Sequence, residues 1–123
     1  MTRVLLADDH ELMRRLLRAA IGSRPGLEIV GEAADGEQAL ALAESLRPDL
    51  VVLDLAMPGI DGLQVASALR ELQPACAILI VSAFEAHRLE AAALAAGADR
   101  YVEKGAGLVA AADAAAQLAG LIP

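Results

Sequence analysis

Aromatic side chains are almost missing from this sequence: among 123 residues, Phe84 and Tyr101 are the only two. Proteins that hold nucleic acid by stacking its bases need several such rings, so that class is set aside. Positive charge is also scarce. Ten Lys and Arg face seventeen Asp and Glu, leaving a formal net charge of -7. An acidic surface repels a phosphate backbone, so no direct nucleic-acid contact by this domain is expected. Cys76 is the single cysteine, which rules out an intrachain disulfide and suits a reducing cytoplasm. Its place in the apolar run from Ala75 to Val81 predicts a buried small hydrophobe. No apolar run approaches the ~20 residues of a membrane-spanning helix. The segment Met1 to Leu6 is too short for a secretory signal and runs into Asp8 and Asp9. A cytoplasmic protein without membrane contact is the expectation.

What is present is apolar and rich in alanine, which makes up about a quarter of the chain. That is enough to build a core in one domain, residues 1–123, without disulfides or a structural metal. Five short apolar runs alternate with helical patterns. The runs are Val4 to Ala7, Leu27 to Ala33, Leu50 to Leu53, Ala77 to Val81 and Arg100 to Glu103. The second alternates apolar and polar residues, as a strand near a sheet edge would. Helices are predicted over Glu11–Ile21, Gly36–Leu46, Leu63–Leu72, Glu85–Ala96 and Leu108–Ala119. The first is expected to bury Leu12, Leu16, Ala19 and Ala20, the second Ala39, Leu40 and Ala43, the third Leu63, Ala66, Leu69 and Leu72. Asp35 is placed to cap the second, and Asp61–Gly62 reads as the turn into the third. Buried strands alternating with ten-residue helices imply an α/β domain, a parallel sheet covered on both faces, with right-handed crossovers.

In such sheets ligands bind beyond the carboxyl ends of the strands. The polar residues fall there: Asp8 and Asp9 after the first run, Asp54 after the third, Ser82 after the fourth and Lys104 after the fifth. Three carboxylates in one crevice repel. A divalent cation with oxygen ligands relieves them, and Mg²⁺ suits one or two direct carboxylates plus water. The Lys104 ammonium is the second remedy. A hard cation, a carboxylate and a lysine together stabilise an incoming phosphoryl group, with Asp54 as nucleophile and Ser82 as a hydrogen-bond donor to a phosphoryl oxygen.

These residues resemble the receiver domains of bacterial two-component response regulators. The stretches that carry the resemblance are Leu5 to His10, Val51 to Leu63 (VVLDLAMPGIDGL), Val81–Ser82–Ala83 and Gly97 to Lys104 (GADRYVEK). The triplet Asp8–Asp9–His10 and the turn Met57–Pro58–Gly59 look most like the NarL/FixJ branch. The resemblance implies a flavodoxin-like (βα)5 fold with strand order 2-1-3-4-5. It implies Asp54 as the phosphoacceptor and a Mg²⁺ or Mn²⁺ ion held by Asp9, Asp54 and the Ala56 backbone carbonyl, with Asp8 acting through water. Ser82 and Tyr101 take the places of a switching hydroxyl and a switching aromatic that turns inward, and Lys104 that of the phosphoryl-binding lysine. A sensor histidine kinase as donor, a homodimer on phosphorylation and a C-terminal helix-turn-helix output are likewise implications of the resemblance. So is the expectation of a switch rather than a turnover enzyme.

Gly105 stands where many receivers carry proline. His10 is read as a helix-start residue, Phe84 as packing, His87 as surface, and the alanines of the last helix as helix formers rather than a docking face. Other readings remain at this point: a stand-alone receiver acting by protein contact, a metal-dependent phosphohydrolase with an aspartyl phosphate, or a constitutive pseudo-receiver. A hydrolase would want a second acid two residues after Asp54, where Ala56 stands. A flavodoxin-like cofactor binder needs a phosphate-cradling loop after the first strand, where two acids stand instead.

Overall fold

The computed structural model describes residues Met1–Pro123. Five strands, β1 (Thr2–Ala7), β2 (Leu27–Ala33), β3 (Leu50–Leu53), β4 (Ala77–Ser82) and β5 (Arg100–Glu103), form one parallel sheet in the order β2-β1-β3-β4-β5. The helices are α1 (Glu11–Gly22), α2 (Gly36–Leu46), α3 (Gly62–Leu72), α4 (Ala86–Ala95) and α5 (Leu108–Leu118), with one 3-10 turn at Lys104–Ala106. The alternating β2 does lie at an edge. The predicted boundaries hold to within two residues, because proline and glycine punctuate the chain where the helices stop. No helix is long and apolar enough to cross a membrane.

Strand side chains alternate between two cores. Leu5, Ala7, Val51, Leu53, Ile78, Ile80 and Tyr101 face α2, α3 and α4. Val4, Leu6, Leu50, Val52, Leu79, Val81 and Val102 face α1 and α5. On α5 the alanines at 111, 112, 114, 115 and 116 are all buried. Their small size lets α5 lie close to the sheet and to α1, so they are packing residues and more than the helix formers expected. Cys76 is buried as predicted, and that burial pushes its thiol up to about 11, leaving it un-ionised at neutral pH.

The α1 face is corrected. Leu17 and Ile21 are buried, with Met13 and Ala20 packed against them, whereas Leu12 is 61% and Leu16 40% exposed and Ala19 is exposed. The paired leucines of MRRLL offer two apolar stripes one residue apart, and periodicity does not choose between them. On α3, Leu72 is likewise exposed, while Val65, Ala66 and Leu69 form the buried face. On α2, Ala39 and Ala43 are buried and Leu40 packs against them, as expected.

Helix starts are tied down locally. His10 caps α1, its Nδ1 accepting from Met13 N. Asp35 caps α2, and Asp61 with Gln64 makes a reciprocal capping box on α3. Gly62 follows that cap, and a Cβ there would lie 2.6 Å from the Asp54 carbonyl oxygen. Only glycine lets α3 begin so close behind the β3 terminus.

Leu17→Ala should destabilise the fold by about 3 kcal/mol, and Leu12→Ala by no more than ~0.5 kcal/mol, in urea unfolding curves.

Candidate functional site

Strand register brings the acids together. Ala7 of β1 pairs with Leu53 of β3, so Asp8 and Asp54 leave adjacent strands side by side. This is the point where strand order reverses, with β2 and β3 on opposite sides of β1. Each carboxylate of Asp8, Asp9 and Asp54 has an oxygen within 4.8 Å of the others. Asp8 and Asp54 are buried and Asp9 is exposed.

Lys104, at the end of β5, reaches into this group. Its Nζ lies 2.9 Å from Asp8 Oδ2 and 3.3 Å from Asp54 Oδ2. It is the only lysine in the chain. A flexible stem ending in a compact charge can stand between two carboxylates that a rigid guanidinium fork would address differently. Burial acts to lower its pKa. Contact with Asp8 and the charges of Asp54 and Asp8 outweigh that and raise it above the usual 10.5.

Asp54 moves the other way from an ordinary paired acid. Burial, reinforced by the Asp8 charge, raises its pKa above 3.8 despite Lys104 and the hydrogen bond that Ala56 N donates to Oδ1. One ammonium does not balance this many carboxylates. Asp8 Oδ2 shows the deficit directly: it is shut off from water, and its one partner is the Lys104 ammonium, 2.9 Å away and shared with Asp54. A buried carboxylate oxygen whose one partner is an ammonium shared with a second acid, beside two more carboxylates, fits a hard divalent cation with oxygen ligands.

The other expected residues surround this centre. Ala56 is exposed at the rim, its carbonyl part of the loop after β3. Ser82 is fully buried at the end of β4, and its Oγ accepts from Phe84 N at 3.1 Å. Tyr101 already points inward: it is 7% exposed, and its hydroxyl donates to the Phe84 carbonyl at 2.7 Å. His10 serves as the helix cap expected of it, and Gly105 follows Lys104 through a trans peptide.

Two residues near the site escaped the sequence reading. Glu103, beside Lys104, accepts from Ala86 N at 2.5 Å and so caps α4 from another strand. The available signal was the poor start of α4, where Glu85 makes no side-chain cap. Arg14 donates from Nη1 to the Asp8 carbonyl at 2.8 Å and from Nε to Glu32 at 3.1 Å. Nothing in local sequence marks it.

A doubly wound parallel sheet that gathers acids and one lysine at its carboxyl rim places the chain among α/β domains built to handle a charged ligand at a switch point. The chain belongs to the response regulator receiver domain family, whose pattern it matches over residues 4–115. The nitrate/nitrite response regulator NarL of Escherichia coli K12 is 43% identical over 101 residues, 82% of this chain and 47% of that protein. A protein-glutamate methylesterase/protein-glutamine glutaminase of Myxococcus xanthus is 47% identical over 103 residues, 83% of this chain but 30% of that protein. The solved receiver domain of a putative NarL from Mycobacterium tuberculosis superposes with a TM-score of 0.90 at 34% identity, covering 97% of this chain and 96% of that one. The NarL-like branch suggested by the triplet and the turn thus stands. The chain spans about half the length of the NarL and GacA relatives it matches.

An aspartate whose folded pKa lies above its unfolded value costs stability at pH above the folded pKa, and that cost is absent below the unfolded one. Asp54→Asn should therefore stabilise the chelator-treated protein at pH 7 by on the order of 1 kcal/mol. The gain should shrink as pH falls from the raised folded pKa toward 3.8, in urea titrations at stepped pH.

Proposed function

We propose that the chain is a phosphorylation switch in which Asp54 takes a phosphoryl group from the phosphohistidine of a sensor histidine kinase. The observation that carries this reading is the ammonium of Lys104 standing 3.3 Å from Asp54 and 2.9 Å from Asp8 at the rim of the sheet. An Asp54 carboxylate oxygen attacks phosphorus in line as the P–N bond to the kinase histidine breaks. The imidazole leaves with the electron pair and takes up a proton, and an acyl phosphate remains on Asp54. Lys104 faces the charge that arrives with the phosphoryl oxygens. Asp9, Asp54 and the Ala56 carbonyl would hold Mg²⁺ or Mn²⁺ directly, and Asp8 through a water. That ion supplies neutralising charge to the phosphoryl group in transfer.

Ser82 and Tyr101 carry the response. The Ser82 hydroxyl, now accepting from Phe84 N, turns to donate to a phosphoryl oxygen. Phe84 loses that partner while its carbonyl stays bonded to Tyr101, so the β4–α4 loop shifts against a ring already inward. The change is a shift between two packings, driven by contacts that only the phosphorylated form makes. Its readout is the surface of α4, β5 and α5, where a second copy of the chain or a partner binds. The similarity to NarL, a protein about twice this length, supports an output in transcription through a C-terminal helix-turn-helix domain outside residues 1–123. The methylesterase similarity shows the same kind of receiver within an enzyme. The receiver itself acts as a switch that assists its own phosphorylation and dephosphorylation, and the reading places it in the cytoplasm.

Incubation with Mg²⁺ and acetyl phosphate should add the mass of one phosphoryl group to the wild-type chain and none to Asp54→Ala, by intact-mass spectrometry. Equal labelling of both proteins would refute the assignment.

A further inference from the structure

We propose that Arg14 is a positioning residue for the acidic site, aiming the Asp9 carboxylate by holding the peptide that precedes it. The inference rests on the phosphoacceptor reading only in taking Asp9 as a ligand of the divalent cation. Asp9 is the exposed acid of the three, and no other side chain donates to its carboxylate. The point and direction from which its side chain leaves the chain are therefore set by its backbone alone. Peptide units are planar, so the φ and ψ of Asp9 are fixed once the planes on either side are fixed.

Both planes are held. The one before Asp9 carries the Asp8 carbonyl, which accepts from Arg14 Nη1 at 2.8 Å. The one after it carries the His10 N–H, which donates to Asp8 Oδ1 at 2.8 Å. Asp8 itself is anchored to β2 by its N–H, 3.0 Å from the Ala33 carbonyl. Arg14 is braced in turn: its Nε meets Glu32 Oε1 at 3.1 Å, and its side chain is 19% exposed. Glu32 is fixed by the register of β2, opposite Leu6. A guanidinium spans a carboxylate and a carbonyl with donors on separate nitrogens held in one plane, whereas an ammonium offers its donors from a single rotating atom.

The sign of the effect separates this role from the two plain ones. If Arg14 mattered only as a nearby cation, removing it would tighten Mg²⁺ binding, because one repelling charge is gone. If it mattered only as a tie between α1 and β2, its loss would lower stability and leave Mg²⁺ affinity alone. Positioning predicts weaker binding.

The test titrates the 123-residue chain with Mg²⁺ by calorimetry and records thermal melts in EDTA. Arg14→Met should weaken Mg²⁺ binding about tenfold, the scale for loss of a residue that orients a metal ligand. Labelling by acetyl phosphate should recover at saturating Mg²⁺. Arg14→Lys, which keeps the charge and loses the fork, should also bind Mg²⁺ more weakly than wild type, and it serves alone if Arg14→Met does not fold. Unchanged or tighter Mg²⁺ binding in a folded variant overturns the proposal, whatever happens to its melt. A wild-type chain that binds Mg²⁺ but takes no phosphoryl group sinks the switch reading and leaves the Arg14 assignment to the same titration. A wild-type chain that binds no Mg²⁺ sinks both.

Discussion

The structure depends on a charge deficit held in place by the sheet. Asp8 and Asp54 leave neighbouring parallel strands in register, so their backbones stay side by side as long as the β1–β3 pairing holds. Lys104 offsets part of the repulsion from the end of β5, but its single charge is shared between Asp8 and Asp54. A raised pKa on Asp54 and a raised pKa on Lys104 are two faces of that imbalance: too little water for the acid, too many acids for the base. A site in this condition gains more from a cation or a bound electrophile than a satisfied one would. The hydrophobic layers on both faces of the sheet hold the strand ends, and so the repelling acids, in place.

β5 is the element through which the site reaches the surface. Within four residues it sends Tyr101 to the Phe84 carbonyl, Glu103 to the first amide of α4 and Lys104 to the acids. Tyr101 and Glu103 share the face of β5 that looks toward α4, since strand side chains alternate. Any movement of Lys104 or Ser82 therefore acts on a loop already fastened at two points to the same strand. α4 has no side-chain cap of its own, which makes its first turn dependent on Glu103. On the other flank, α1 begins at the acidic turn and carries Arg14 back to it.

Much of this was legible in the sequence, and the reasons are physical. Five apolar runs separated by Gly, Pro and capping residues leave little choice of element type, and β3, with four buried residues in a row, has to lie inside a two-faced sheet. The site was legible because each acid, Ser82 and Lys104 stands at the end of such a run, and strand ends of a parallel sheet converge. Asp35, Asp61 and His10 were readable as helix starts because a cap interacts with its own first turn.

What stayed hidden involves a choice between equivalent local patterns or a contact between distant segments. The two leucine stripes of α1 are equal by periodicity, and only the seating of α1 against the sheet and α5 buries Leu17 and Ile21 rather than Leu12 and Leu16. Glu103 meets Ala86 across 17 residues, and Arg14 meets Glu32 across 18, so neither leaves a short-range signal. The inward setting of Tyr101 is likewise a packing outcome. The chain alone therefore determined the order of elements and the chemistry at their ends, because those follow from neighbours along the backbone. The tertiary structure decided which helix face is buried, which acids share the lysine and which side chains aim the acids, because these depend on segments that meet only when the sheet has formed.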